Sequence, residues 1–261
     1  MKLSINDLVV GYGDKVIING LTVEFDEGRT VILGPNGSGK TTLLRAIAGV
    51  IKPLRGGIIV LDDRPLRGGD VGYVSHAGGL DPNMTVRENL EFYAEVKNAS
   101  NLDEVVDRLR IRNLMNTKVG LLSNGQRRMV EIAIAMLGSP KVYALDEPTD
   151  GLDVNFASRV KDIVRRLHGI VIYTTHMLSE ALELADYLVI IRKGRIAFHG
   201  DMTKLGGAMR IVAKRGGRET RIIETDLSEL SRVIDELRSE GFNVLEVRNS
   251  VIDELLGGVD D

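Results

Sequence analysis

The sequence predicts an α/β fold with a mixed, mainly parallel sheet, and three observations support this class. A short apolar run, Thr30 to Leu33, leads through a glycine-rich stretch into a helical pattern. Between residues 142 and 191, apolar runs of strand length alternate with amphipathic segments, as in a parallel α/β core. Residues 85 to 122 contain no strand-like run, which indicates a helical insertion in that core.

Composition limits the classes of function. The chain has 261 residues, of which 43% are hydrophobic and 27% charged, as is typical of a globular protein with a substantial core. A formal net charge of −3 gives no overall attraction to nucleic acid, so we expect no nucleic-acid partner. The absence of cysteine excludes disulfides, thiolate metal sites and cysteine nucleophiles. No apolar run approaches the roughly 18 residues of a membrane-spanning helix, so we expect any membrane role to depend on a partner.

The N-terminal part predicts an antiparallel β subdomain. Lys2 to Val10 alternates apolar and polar residues, as a half-buried strand does. Val16 to Ile18 and Leu21 to Phe25 are interpreted as two strands separated by a turn at Asn19-Gly20. Short strands of the buried type follow at Ile58 to Leu61 and at Val71 to Val74.

The insertion is predicted to be a helical subdomain at about residues 85–137. Thr85 can cap its first helix, because Glu88 stands at the capping-box position three residues later. A second helix is predicted at 101–110 and a third at 127–137 from the spacing of their apolar residues.

Alternation of strands and helices then resumes until about residue 200. The predicted strands are Val142–Leu145, Ile170–Thr174, Tyr187–Ile191 and Arg195–His199, and the predicted helices are Asn155–His168 and Ser179–Ala185.

Beyond Gly200 the pattern predicts a small appendage. A hairpin around Gly216-Gly217 precedes a helix, for which Asp226 and Glu229 have capping-box spacing, and a strand at 243–247 follows. We therefore predict two domains, residues 1–203 and a β-β-α-β unit at residues 204–261.

The glycine-rich stretch fits the phosphate-binding pattern G-x-x-x-x-G-K-[ST], which has a chance frequency on the order of once in a hundred chains of this length. Its glycines let backbone N–H groups point at an anion, and the next helix adds the positive end of its dipole. Lys40 would neutralise the β- and γ-phosphates, and Thr41 would hold Mg²⁺. The predicted phosphate-binding residues are Gly34, Pro35, Asn36, Gly37, Ser38, Gly39, Lys40, Thr41 and Thr42.

Three further residues complete a hydrolytic site. Asp146 ends an apolar run and is placed to support Mg²⁺, and the adjacent Glu147 is the candidate general base for an attacking water. His176 follows the next predicted strand at its carboxyl end, where parallel sheets place their sites, and could reach the γ-phosphate.

At this point residues 2 to 200 resemble the ATP-binding subunit of an ABC transporter. Leu122-Ser123-Asn124-Gly125-Gln126 is similar to the LSGGQ signature, and residues 146–153 are similar to the Walker B motif and D-loop. The resemblance implies a dimer of two cassettes around Mg²⁺ and ATP, either of identical chains or with a second ABC ATPase. It assigns Tyr12 to the adenine and the signature to the γ-phosphate bound by the other subunit. The implied nucleotide contacts beyond the P-loop are Tyr12, His76, Ser123, Gly125, Gln126 and Asp153.

Two positions depart from the family pattern. His76 stands where the Q-loop glutamine is expected, after Tyr73-Val74-Ser75, and a neutral imidazole there could also ligate Mg²⁺. Asn124 replaces the first glycine of the signature, a mild change because asparagine tolerates positive φ.

The resemblance favours an ATP-hydrolysing motor that drives a separate transmembrane permease from the cytoplasmic face of the membrane. Two alternatives are a soluble ABC ATPase, such as a partner in iron–sulfur assembly, and a weak regulatory half-site in a heterodimer. The appendage loosely resembles those of ABC-2-type exporters.

Overall fold

The structure is a computed structural model that describes residues 1–76, 78–216 and 219–256. Its strands are β1 (Lys2–Tyr12), β2 (Lys15–Asp26), β3 (Gly28–Leu33), β4 (Arg55–Leu61), β5 (Arg64–Pro65), β6 (Val71–Val74), β7 (Val142–Asp146), β8 (Ile170–Thr175), β9 (Tyr187–Arg192), β10 (Arg195–Asp201), β11 (Met209–Arg215), β12 (Glu219–Thr225) and β13 (Asn243–Asn249). Its α-helices are α1 (Lys40–Ile47), α2 (Val86–Val96), α3 (Leu102–Arg108), α4 (Asn124–Met136), α5 (Val154–Arg165), α6 (Leu178–Leu184), α7 (Leu230–Ser239) and α8 (Ser250–Leu256).

A six-stranded sheet forms the centre of the molecule, in the order β10-β9-β3-β8-β7-β6. Five of these strands are parallel, and β10 pairs antiparallel with β9 at one edge, so the predicted mixed and mainly parallel sheet is confirmed. The carboxyl ends of the parallel strands meet at one edge of the sheet. The loops after β3, β6, β7 and β8 therefore lie together, and they carry the predicted site residues.

The sheet has an apolar core on each face, because successive residues of a strand point to opposite sides. Val31 and Leu33 of β3 pack with the helices α2 to α5, whereas Ile32 packs with α1 and the antiparallel strands. The same alternation holds along β7 and β8.

The antiparallel β subdomain is a four-stranded sheet in the order β2-β1-β4-β5, which confirms its prediction. The prediction of two strands on either side of Asn19-Gly20 is wrong. β2 is continuous because β1 runs beside it along its whole length, from Lys2 opposite Asp26 to Tyr12 opposite Lys15. Gly20 instead takes a positive φ of 72° at an irregularity where the register of the pair shifts. β4 also differs from its prediction, since much of it is only half-buried and it pairs antiparallel with β1.

Between residues 85 and 137 the structure consists of helices joined by turns, and its one β contact is an isolated bridge between Thr85 and Lys118. The capping box of α2 is confirmed, because the Glu88 amide donates to Thr85 Oγ1 (3.2 Å) and the Thr85 amide donates to Glu88 Oε2 (2.7 Å). α4 begins at Asn124, three residues before its predicted start, because Ser123 and Gln126 form a second capping box.

The C-terminal strands form a sheet in the order β12-β11-β13, against which α7 packs. The predicted hairpin is present, although Gly217 and residues 257–261 lie outside the described part of the chain. The predicted capping box at Asp226 is wrong: its side chain makes no capping hydrogen bond, and Glu229 pairs instead with Arg232. A short 3₁₀ turn precedes α7, which displaces the cap.

Helix α8 was not expected from the sequence. It packs on β9 and β10, and its buried Ile252 joins the core on the helical face of the main sheet. Its short length gave little helical periodicity. None of the helices within the described residues is long and apolar enough to cross a membrane.

Candidate nucleotide-binding site

The loop between β3 and α1 has the backbone of a phosphate-binding loop. Gly37 and Gly39 have positive φ values of 78° and 111°, and Gly39 leads directly into the first turn of α1. A Cβ atom at Gly34 would overlap the carbonyl oxygen of Ile191 and lie 2.7 Å from Ser38 Oγ. Only glycine fits there, so the curve of the loop follows from its sequence.

Lys40 is buried at the centre of this loop. Its ammonium group donates to the carbonyl oxygens of Gly34 (2.7 Å) and Pro35 (3.3 Å). It also lies 3.1 Å from Glu147 Oε1, which makes a largely buried ion pair. The charge of Lys40 is therefore held at the loop by groups that a phosphate can replace.

Glu147 lies between two basic groups. Oε1 faces Lys40, and Oε2 lies 2.9 Å from His176 Nδ1. Burial alone would raise the pKa of Glu147, but its hydrogen bonds to Lys40 and His176 and their charges bring that pKa below its ordinary value. The backbone of Glu147 has a φ of 45°, a conformation that costs energy for a residue with a side chain and is common at functional sites.

Asp146 is fully buried beside Thr41. Its Oδ1 accepts hydrogen bonds from Thr41 Oγ1 (3.1 Å) and Thr174 Oγ1 (3.0 Å). Its Oδ2 has no hydrogen-bond partner within the described residues, which is unusual for a buried carboxylate oxygen. Magnesium prefers oxygen ligands and keeps several waters, so this orphaned oxygen next to a threonine hydroxyl fits a Mg²⁺ site.

Tyr12 and the loop line one cavity. The Tyr12 ring is 44% exposed, and its hydroxyl accepts a hydrogen bond from Arg45 of α1 (3.0 Å), which fixes its position. The cavity has a volume of about 260 Å³ and is lined by Tyr12, Lys15, Ile17, Asn36, Gly37, Gly39, Lys40, Thr41, Thr42 and Glu147. An exposed aromatic ring beside a phosphate-binding loop is suited to stack on a base.

A second cavity, of about 360 Å³, joins the loops after β6, β7 and β8. It is lined by Asn36, Thr41, His76, Glu147, Asp150 and His176. The structure thus brings His76 to the same place as the predicted general base and His176. Asp150 was not among the predicted site residues. Neither were Lys15 and Ile17, which line the first cavity, nor Thr174, which donates to Asp146; only the tertiary structure brings them to the site.

The predicted signature residues lie elsewhere. Ser123 and Gln126 cap α4, and Asp153 caps α5 by accepting from the amides of Asn155 and Phe156. None of Ser123, Gly125, Gln126 and Asp153 lines either cavity, although Asn124 shares a neighbouring cleft with His76 and Asp150. Within one chain, therefore, the P-loop and the signature do not form a common pocket among the described residues.

The sequence of the chain is similar to those of known proteins. The protein-family profile described as ABC transporter matches residues 18–150, more than half of the chain. The sulfoquinovosyl glycerol transport ATP-binding protein SmoE of Agrobacterium fabrum is 36% identical over 75% of this chain and 59% of that protein. The Nod factor export ATP-binding protein I of Bradyrhizobium diazoefficiens is 36% identical over 70% of this chain and 65% of that protein. The chain thus matches less than two thirds of the length of these relatives.

Solved structures share the fold. The structure of an ATP binding subunit of an ABC transporter covers 78% of this chain and 92% of its own, with a TM-score of 0.71 and 24% identity. A nucleotide-free ATP-binding cassette from an ABC transporter covers 77% of this chain and 92% of its own, with a TM-score of 0.67 and 26% identity. This chain therefore belongs to the ABC transporter family and carries the fold of its ATP-binding domain.

Proposed function

We propose that this chain is the ATP-hydrolysing motor subunit of an ABC transporter. The observation that carries the proposal is the Glu147 carboxylate, held between Lys40 and His176 beside the P-loop and next to the buried Asp146. A base that activates water must be ionised and oriented, and these two contacts provide both.

The binding residues form two groups, one for the adenine ring of ATP and one for its phosphates. Tyr12 is placed for the adenine, and the backbone amides of the P-loop together with Lys40 for the β- and γ-phosphates. Thr41 and Asp146 would hold Mg²⁺, with His76 as a further candidate ligand, and the ion would neutralise charge on the phosphates.

The Lys40 ammonium group contacts Glu147 in this structure, and a bound triphosphate would draw it away from that carboxylate. When its ammonium group turns to the triphosphate, Glu147 loses the partner that lowers its pKa most and becomes a stronger base. Glu147 would then take the proton from the attacking water, while His176 holds its other oxygen in place.

A second copy would complete the site. Ser123 and Gly125 lie at the N-terminus of α4, where free amides and the helix dipole favour an anion. Because neither residue lines the P-loop cavities of its own chain, we propose that the signature contacts the γ-phosphate bound by a partner, in a homodimer or with a second ABC ATPase.

Such a dimer would drive transport across a membrane. Relatives carry names of import and of export ATP-binding proteins, which supports a subunit that drives a separate transmembrane permease. We propose that the chain lies at the cytoplasmic face of the membrane through this permease, and that residues 204–261 are an appendage similar to those of ABC-2-type exporters, joined to the main sheet through α8.

Two variants test the ATPase. Lys40→Ala should weaken binding of a fluorescent ATP analogue at least tenfold, because the loop loses its only buried cation. Glu147→Gln should retain binding but reduce phosphate release by about a hundredfold or more, as expected for loss of a general base. Equal phosphate release by wild type and Glu147→Gln would overturn the assignment.

A further inference from the structure

The cavity at the ends of β6, β7 and β8 holds a set of side chains that Mg²⁺ alone does not explain. Glu147, Asp150 and His176 each offer one ligand atom, and these atoms all lie within 4.8 Å of one another. His76 lines the same cavity. Magnesium favours all-oxygen coordination, whereas an imidazole with two carboxylates, beside a cavity wall that carries a second imidazole, is a donor set typical of zinc and neighbouring transition metals.

The topology of the sheet explains why these four residues line one cavity. β6, β7 and β8 are adjacent and parallel, and each is followed at its carboxyl end by one part of the set. His76 follows β6, Glu147 and Asp150 follow β7, and His176 follows β8. A hydrogen bond from the Asp150 amide to the Glu147 carbonyl (3.1 Å) closes the turn that holds both carboxylates.

The charges of the set also suit a cation. Glu147 is ionised and shares its two oxygens between Lys40 and His176, whereas Asp150 is exposed and adds a second carboxylate. A divalent cation among Glu147, Asp150 and His176 would meet two negative charges and one imidazole, against the single positive charge of Lys40 at the other oxygen of Glu147.

We propose that Glu147, Asp150 and His176 form a binding site for a divalent transition-metal cation of the zinc type, and that His76, which lines the same cavity, turns towards the cation as a fourth ligand. The cation occupies the cavity that Asn36 and Thr41 also line, and it therefore competes with the terminal phosphate of a nucleotide. The binding of metal stands independently of the proposed ATPase, whereas the competition rests on it.

The four histidines of the chain provide matched controls. His76 and His176 belong to the set, whereas His168 and His199 are exposed at other places in the fold. We suggest equilibrium dialysis of the full chain against Zn²⁺, without nucleotide or magnesium, together with Co²⁺ absorption spectra of the same proteins. Wild type should bind one Zn²⁺ per chain, and His76→Gln and His176→Gln should each weaken that binding about tenfold or more.

His168→Gln and His199→Gln should bind Zn²⁺ as wild type does. The site is disproved if wild type binds no stoichiometric Zn²⁺, if the four histidine variants weaken binding equally, or if His76→Gln has no effect. Circular dichroism of each variant checks that its fold is retained, so that weaker Zn²⁺ binding can be assigned to the site.

A second experiment tests the competition. Zn²⁺ should raise the Kd of a fluorescent ATP analogue for wild type about tenfold, and this rise should be largely absent in His76→Gln. The variant is needed because Zn²⁺ also complexes ATP in solution. An equal rise in both proteins would refute the competition. Failure of the analogue to bind without zinc would refute the proposed function, while the dialysis would still decide the metal site.

Discussion

At the scale of single residues, Glu180 shows how a buried charge is accommodated next to the site. Its carboxylate is 7% exposed and accepts hydrogen bonds from the hydroxyls of Thr149 (2.6 Å), Tyr173 (3.1 Å) and Thr175 (2.7 Å). Burial and the nearby charge of Glu180 raise the pKa of Tyr173, so its phenol remains a donor. The network joins the loop after β7, strand β8 and helix α6, and thereby supports the loops that carry Glu147 and His176.

Glu180→Ala should therefore destabilise the protein by about 2–3 kcal/mol, because three buried hydroxyls lose their acceptor. Urea unfolding measures this change. Glu91→Ala is the control, since Glu91 is exposed on α2 and its pair with Arg87 should contribute less than about 1 kcal/mol. Equal losses for the two variants would contradict the role of the network.

Single residues also show how far the sequence predicts the site. Lys40 and Thr41 belong to a contiguous motif, so their positions follow from one loop, and Asp146 and Glu147 follow from the end of one apolar run. Thr174 lacks such a signal. It contacts Asp146 and accepts from the Glu147 amide only because β7 and β8 are neighbours in this register, which a local pattern does not contain.

At the scale of elements, the packing of α4 on α5 depends on one glycine. A Cβ atom at Gly125 would overlap the ring of Phe156 on α5. Gly125→Ala should therefore destabilise the protein by about 1–3 kcal/mol, because the two helices must separate.

A double-mutant cycle isolates this contact. In the Phe156→Ala background, Gly125→Ala should lower the free energy of unfolding far less than it does in wild type, because the ring that the new Cβ would overlap is gone. Urea unfolding of wild type, the two single variants and the double variant gives the coupling free energy between Gly125 and Phe156. Additive losses would show that Gly125 is needed for another reason.

Asp70 links strand β5 of the antiparallel sheet to the turn that precedes β6 of the main sheet. Arg64 of β5 donates two hydrogen bonds to this carboxylate, at 2.8 and 2.7 Å, and lowers the pKa of Asp70 from 3.8 to about 2. Because the folded pKa is the lower one, the interaction stabilises the fold above about pH 4 and is lost as the pH falls towards 2.

Asp70→Asn should accordingly cost about 1–2 kcal/mol at pH 7, a value reduced for the partial exposure of the pair. The difference from wild type should stay constant down to about pH 4.5 and shrink below pH 4. Urea unfolding at a series of pH values tests this. A difference that is independent of pH down to 3 would rule out the charge as its cause.

The elements that the sequence did not predict have tertiary causes. Asn19-Gly20 has the composition of a hairpin turn, but continuous pairing with β1 keeps it within β2. α8 has only seven residues, and it is stabilised by burying Ile252 against the main sheet rather than by its own length. By contrast, α2 and its cap at Thr85 were predictable, because both partners of the capping box lie within four residues.

At the scale of the whole molecule, the P-loop and the start of α4 line different cavities of the described residues. The P-loop, Asp146 and Glu147 line or adjoin one pair of cavities, and the start of α4 lies outside them. The proposal that two chains complete each site follows from this separation. The P-loop predicts that the ligand is a nucleotide, and the signature predicts that two chains bind each nucleotide together.

The most direct test of this account is the mass of the Glu147→Gln variant in the presence of Mg-ATP. Loss of the proposed general base should trap ATP between two chains, so light scattering on gel filtration should give twice the 28.6 kDa of one chain. Without nucleotide, or with Lys40→Ala added, the same protein should elute as a monomer. A variant that binds ATP and remains strictly monomeric at saturating Mg-ATP would contradict the shared site.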